Sequence, residues 1–356
     1  MKQCTRRKFI QKTILGAGGI MAIGLPAFSE KNDKKSVFVP RMAVNPDIDN
    51  LKVICGINTA MITREPASWD MAGQNSPVDN AQVERTLDAV AISLTRKATA
   101  PEAWKTIFHK PESKTWDAVK AAIKVNGLGK NHPRLSVVNK ICMELNKIGV
   151  SYRNMYIYDG SHDAGVLYSP FAGKGLPSGV IISDKNDALG GTMKTEIPEK
   201  GAYHSYKCTR MIADGSIDIL VNIAVNKNHD KNLGGTTLTL KNHAGTFEPL
   251  RIHMGGGLDY ILGFSKSDAL WGGNPVRQQL CIVDSLWGST KGGPFVIPDK
   301  RLDCLIMGTF SGAIDYLIAK KIREPLMGAE HGPIDRFVND FGYEENEMTG
   351  WESITI

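Results

Sequence analysis

The run NKNHDKNLGGTTLTLKNHAG, residues 226–245, sets three lysines and two histidines around Gly234-Gly235-Thr236-Thr237, directly after an apolar stretch. Lys227 and His229 lie two apart, which puts them on one face of an extended segment. Lys241 and Asn242 follow the glycine turn, whose backbone amides could cradle an anion. Lysines so placed hold a negatively charged group, and a histidine beside a carboxylate such as Asp284 can move protons. The expectation is a small-anion site bound by Lys227, Lys241 and Asn242. His229 is then the acid–base residue or the first candidate as a metal ligand, with Asp284 orienting it or serving as base. One alternative is a ligand or cofactor binder without turnover, accessory to another exported system. Another is a structural cluster that satisfies loop carbonyls.

Such residues need elements to position them. Ile217–Val225 is nearly continuous in apolar residues, as befits a central strand, and it delivers Asn226, Lys227 and His229 at its end. Ala121–Gly127 is strand-like and ends in Lys124-Val125-Asn126. Met155–Tyr158 ends at Asp159-Gly160, and the apolar Leu280–Val283 ends at Asp284. Val83, Leu87, Val90, Ala91 and Leu94 recur at helical spacing after Asn75-Ser76-Pro77. Val137, Val138, Ile141, Leu145 and Ile148 do the same before Gly149. Strand–helix–strand alternation predicts an α/β fold with a mostly parallel central sheet flanked by helices. In such sheets ligands bind where the carboxyl ends of the strands converge, which makes Lys124, Asn126 and Asp159 further ligand-binding candidates. Residues 160–205, rich in Gly, Pro, Ser and Asp, read as a Gly/Pro-rich insertion with short strands such as Val180–Ile182. Later strands are expected at Leu280–Val283 and Leu302–Met307, with helices near 310–321 and 333–341.

The N-terminus carries its own message. Thr5-Arg6-Arg7-Lys8-Phe9-Ile10, an apolar Ile14–Leu25 and Ala27-Phe28-Ser29 form the three parts of a twin-arginine signal, with cleavage expected after Ser29. The apolar part is short for a membrane span. The expected partner is the twin-arginine export machinery, and the expected location is outside the cytoplasm, the periplasm where the host has an outer membrane. Lys2, Arg6, Arg7, Lys8 and Lys12 lie in this segment. Taking these five from the 43 Lys and Arg leaves 38 against 37 Asp and Glu. The basic balance belongs to the signal, so it argues for neither nucleic acid nor an anionic membrane as partner. Residues 30–50 read as a mobile lead-in, 51–342 as one large α/β domain and 343–356 as a tail.

Other chemistry is poorly signalled. Cys55, Cys142, Cys208, Cys281 and Cys304 are isolated, without the pairs of a zinc ribbon or iron–sulfur motif. All but Cys208 sit among apolar neighbours as buried thiols. His229, His243 and His253 follow no regular metal-ligand spacing, and His162-Asp163 reads as a surface pair. Gly255-Gly256-Gly257 and Lys291-Gly292-Gly293-Pro294 read as turns. No dinucleotide or Walker glycine pattern and no Gly-x-Ser-x-Gly is present. The cofactor therefore stays open.

The ordered blocks Ile123-Lys124-Val125-Asn126, Asp159, LVNIAVNKNHD, TLTLKNHAG, IVDSLWGSTKGGP and SGAIDYLIAKK resemble domain-of-unknown-function family 362. The similarity spans roughly residues 50–325 and is most specific at 226–245. It implies an α/β architecture and polar site positions at Lys227, His229, Lys241, Asn242, Asp284 and Asp315, without a settled activity. Asn228 stands where the family usually has Thr, and the ferredoxin-like cysteines of some members are missing. A fainter likeness, His229 to Lys241 across a glycine turn, is similar to the His…Lys order of the nickel-dependent lactate racemase family.

Overall fold

Apolar runs broken by amphipathic helices bury themselves by stacking as a sheet between two layers, and the chain does this. The computed structural model describes residues 38–160, 164–183 and 185–356, all within one compact unit, Lys35–Ile356. The expected signal, residues 1–29, and the pair His162-Asp163 lie outside the described residues. Among the described residues no helix is long and apolar enough to cross a membrane.

The strands are β1 (Val53–Ile57), β2 (Ala121–Val125), β3 (Met155–Tyr158), β4 (Ile181–Ser183), β5 (Thr192–Glu199), β6 (Ala202–Thr209), β7 (Ile219–Asn228), β8 (Thr236–Thr237), β9 (Gln278–Gly288), β10 (Lys300–Gly308) and β11 (Trp351–Thr355). The central sheet runs β11-β1-β10-β9-β7-β2-β3-β4, with β8 attached to the end of β7. β9, β7, β2, β3 and β4 are mutually parallel, and β10 runs against both β9 and β1. The expected α/β fold with a mostly parallel sheet is the one observed.

Alternation along each strand sorts side chains to two cores. Ile123, Ile157, Val221, Ile223 and Ile282 join Val83, Leu87, Val90 and Ile141 from the helices Asn80–Thr95 and Leu135–Lys147 on one face. Ala122, Tyr158, Leu220, Ala224 and Val283 meet Tyr260, Phe264, Ile314 and Leu317 from Gly257–Ser265 and Ser311–Ile318 on the other. Full burial of one such aliphatic side chain is worth about 1.5–3 kcal/mol. An exposed pair such as Arg41–Glu347 contributes about 0–1 kcal/mol. The two apolar layers hold the sheet.

Connections on opposite faces create a topological switch. From β2 the chain crosses by Leu135–Lys147 to β3 on one side. From β7 it crosses by a connection containing Gly257–Ser265 to β9 on the other side. The carboxyl ends of neighbouring β2 and β7 therefore mark the switch point, the crevice position at which open α/β sheets take ligands.

Several elements differ from expectation. The insertion contains a hairpin of two eight-residue strands, β5 and β6, forming its own sheet. Much of the hairpin is exposed, so it lacks the apolar run that announces a strand. It is held where Gly263 passes close to Pro198: a Cβ on Gly263 would lie 2.4 Å from that carbonyl oxygen. The helix expected at 333–341 shrinks to Arg336–Asn339, and Ser311–Ile318 continues as a π-helical turn, Ala319–Arg323. Val44 and Ile48, within the expected lead-in, are buried. Asn50 of the same segment bonds Tyr343 at 3.0 Å. Residues 351–355 of the expected tail form β11, paired in parallel with β1. Both segments are short and polar, and their order comes from partners distant in sequence.

Candidate functional site

Five polar side chains converge in the crevice between β2 and β7. Lys124 points off β2 into the layer beneath Thr239–Asn242, fully buried. Its Nζ donates to the Val125 carbonyl at 2.7 Å and to Asn242 Oδ1 at 3.2 Å, and pairs with Asp159 Oδ1 at 3.1 Å. Burial lowers the Lys124 pKa, and Asp159 opposes that. Asp159 Oδ2 also accepts the Gly127 N–H at 2.7 Å, tying the end of β3 to the end of β2. Asn242 donates to Asn222 Oδ1 at 2.8 Å and to the Ile223 carbonyl at 3.2 Å, while its Oδ1 accepts Asn126 Nδ2 at 3.3 Å. Gly245 abuts this knot. A Cβ there would lie 2.0 Å from Asp159 Oδ1 and 3.1 Å from Lys124 Nζ.

Lys227 enters from β7, fully buried, and donates to Asn126 Oδ1 at 2.6 Å and to the Leu128 carbonyl. Its pKa is lowered to about 7, chiefly by burial, with Asp159 opposing and Lys241, Lys124 and Arg134 adding repulsion. Lys241 is the exception to the network. It is 9% exposed, and among the described residues its ammonium has no hydrogen-bond or ion-pair partner. Burial lowers its pKa to about 8, Asp159 pulling it up and Lys124 down. Lys241 Nζ keeps contact with solvent while most of its stem is buried, and an anion arriving there meets a partly desolvated amine.

His229 lies at the rim, half-buried, its ring stacked at 5.6 Å on that of His253. Burial, then Lys241 and His253, depress its pKa to about 3, so the ring is neutral at ordinary pH. Nδ1 accepts the Asp230 N–H at 2.8 Å, which leaves the single proton on Nε2. This geometry suits an N–H donor. Nδ1 is taken by the Asp230 N–H, while Nε2 carries a proton that has no acceptor among the described residues, so the ring offers a donor rather than a lone pair. Among the described residues no group of three or more His, Cys, Asp or Glu is placed to hold a metal ion. His243 is buried between Thr246 Oγ1 at 3.0 Å and Gln278, with its pKa lowered by burial to about 3. It is a packing residue.

Two carboxylates act at one remove. Asp284 Oδ2 accepts the Arg134 N–H at 2.8 Å, and the Arg134 guanidinium lies 3.9 Å away. Asp284 Oδ1 takes the Leu286 N–H at 3.2 Å, and no hydrogen bond or ion pair joins it to His229. Expected as a base or an orienting group for His229, Asp284 instead secures the start of the helix Leu135–Lys147. Asp315 accepts Thr239 N at 2.9 Å, Thr239 Oγ1 at 2.6 Å and Leu240 N at 2.9 Å. Those bonds fix the short turn that carries Lys241 and Asn242, making Asp315 a positioning residue. Burial raises its pKa to about 7, against the pull of those same bonds.

The glycine turn does not cradle an anion. The Gly234 N–H bonds the Lys231 carbonyl and the Gly235 N–H bonds that of Asp230, each at 3.0 Å. Positive φ values of 90° and 74° explain the two glycines instead. Lys124, Asn126, Asp159, Lys227 and Asn242 thus form one network, with Lys241 within electrostatic reach of it. Asn222, Gly245 and Arg134 were not singled out from sequence. Asn222 carried a signal, as an amide inside an otherwise apolar strand. Arg323, delivered inward by the π-helical turn onto Asn226 Oδ1 at 2.5 Å and Asn228 Oδ1 at 3.2 Å, carried none. Cys55, Cys142, Cys281 and Cys304 are buried as read from the sequence, and Cys208, which was not so read, is buried too. Comparison with protein-family models, with curated proteins and with solved structures finds no match.

Proposed function

We propose that the crevice at the switch point binds a small anion between Lys227 and Lys241, with His229 as an N–H donor at its mouth. The observation that carries this is Lys241, a largely buried lysine with no acceptor among the described residues, beside a second lysine whose proton affinity burial has already reduced. An anion supplies the missing acceptor and returns both amines to ammonium. Asp159 pairs with Lys124 and accepts the Gly127 N–H, and its charge also favours the Lys227 and Lys241 ammoniums, so an added anion acts beside it. The likeness of the ordered blocks to domain-of-unknown-function family 362 and export through a twin-arginine signal belong to the same proposal.

The test is titration calorimetry with sulfate and with a panel of short carboxylates, comparing the parent with Lys241→Met and Lys227→Met. Each variant is expected to weaken binding tenfold or more while its unfolding stays cooperative. Binding unchanged in Lys241→Met would remove the proposal. Turnover of the bound ligand, measured in the same samples, separates an enzyme from an accessory binder.

A further inference from the structure

Three lysines surround the crevice, and their hydrogen bonds distinguish them. Lys124 is spent on a carbonyl, an amide oxygen and the Asp159 carboxylate. With three acceptors already around its Nζ, it has no free direction to offer a ligand. Lys227 gives two of its protons to Asn126 Oδ1 and the Leu128 carbonyl, which directs it toward holding charge. Among the described residues Lys241 has no such commitment, and Asp315 fixes the turn it stands on through three hydrogen bonds. A desolvated lysine beside other cationic groups is the usual form of a lysine nucleophile toward carbonyl compounds.

We propose that Lys241 forms a Schiff base with an anion that carries a carbonyl next to its charge, a 2-oxo carboxylate, while Lys227 holds the carboxylate. This rests on the anion-binding reading above and names its substrate class. The Nζ lone pair adds to the carbonyl carbon as the carbonyl π pair moves to oxygen. A proton passes from nitrogen to that oxygen, giving a carbinolamine. The hydroxyl leaves as water with one proton taken from solvent, and the nitrogen lone pair closes the C=N bond. No electrons are lost or gained overall. Three features support the step: an amine free to attack, a neighbouring ammonium for the carboxylate, and a neutral His229 N–H at the mouth to donate to the developing oxyanion.

The experiment uses the full chain with pyruvate and sodium borohydride, read by intact mass and peptide mapping, with propionate as the carbonyl-free control. The expected result is one reduced adduct, mapped to Lys241, whose formation propionate slows by competition. Lys241→Arg should abolish the adduct, since a guanidinium offers no amine lone pair to add to the carbonyl. Should that variant fail to fold, mapping on the parent chain still decides. Propionate binding with no pyruvate adduct, or an adduct only on other lysines, overturns the Schiff base and leaves the anion site standing. If neither compound binds or labels, the anion site itself falls and the Schiff base with it.

Discussion

Anion binding in the crevice should take up protons, and the amount depends on pH in a way the site fixes. In the free protein Lys227 titrates at about 7 and Lys241 at about 8. At pH 8 Lys241 is then half charged and Lys227 mostly neutral. An anion placed between them raises both values, so binding at pH 8 should absorb about 1.4 protons, falling to about 0.1 at pH 6. The groups facing these amines are Asp159, Lys124, Arg134, His229 and His253. His229 is already neutral across this window and adds nothing. The sign follows from the lowered values: raising the pH removes the charges the ligand needs, so affinity falls from about pH 7 upward. The free protein behaves oppositely, because depressed lysine values make folding more favourable as pH rises from about 7 toward 10.5. Calorimetry with sulfate, which does not titrate here, in buffers of different ionisation heat measures the uptake directly. Lys241→Arg should lower it to about 0.9 protons at pH 8, leaving Lys227 alone. Uptake near zero at pH 8, or affinity that grows with pH, would refute the reasoning.

Other substitutions separate the site from its scaffold. Asp284→Ala leaves Arg134 buried without its carboxylate and should destabilise by about 3–5 kcal/mol in a urea melt. Anion affinity per folded molecule should stay unchanged; lost binding in a stable variant would place Asp284 in the site after all. Asp315→Asn keeps the shape but exchanges one acceptor oxygen for a donor. It should cost about 1–3 kcal/mol and weaken anion binding through Lys241, whereas full binding would mean that the turn needs no such anchor. Gly245→Ala forces a Cβ onto the Asp159–Lys124 pair and should cost about 1–3 kcal/mol from overpacking. Its effect on sulfate affinity should exceed that of Ala244→Gly, measured side by side.

The legible parts of the fold were those with apolar periodicity. β1, β2, β3, β7 and the helices Asn80–Thr95 and Leu135–Lys147 follow from runs of Val, Ile and Leu at period two or near four. The β5–β6 hairpin, β11 and the packed segment at Val44–Asn50 were not legible, because partners far along the chain supply their order. At the site, polar residues at strand ends pointed to the crevice, and Lys124, Asn126, Asp159, Lys227 and Asn242 do meet there. Roles were harder to read than places. That Asp284 turns to Arg134, that Gly234 and Gly235 use their own amides, and that the His229 proton sits on Nε2 all depend on hydrogen bonds no spacing encodes.

The most direct measurement is anomalous diffraction from crystals soaked in selenate, a heavy stand-in for sulfate. The account predicts one strong selenium peak within hydrogen-bond distance of Lys241 Nζ and Lys227 Nζ, lost in Lys241→Met. A crevice without selenium at saturating selenate, or peaks confined to surface lysines, would contradict it.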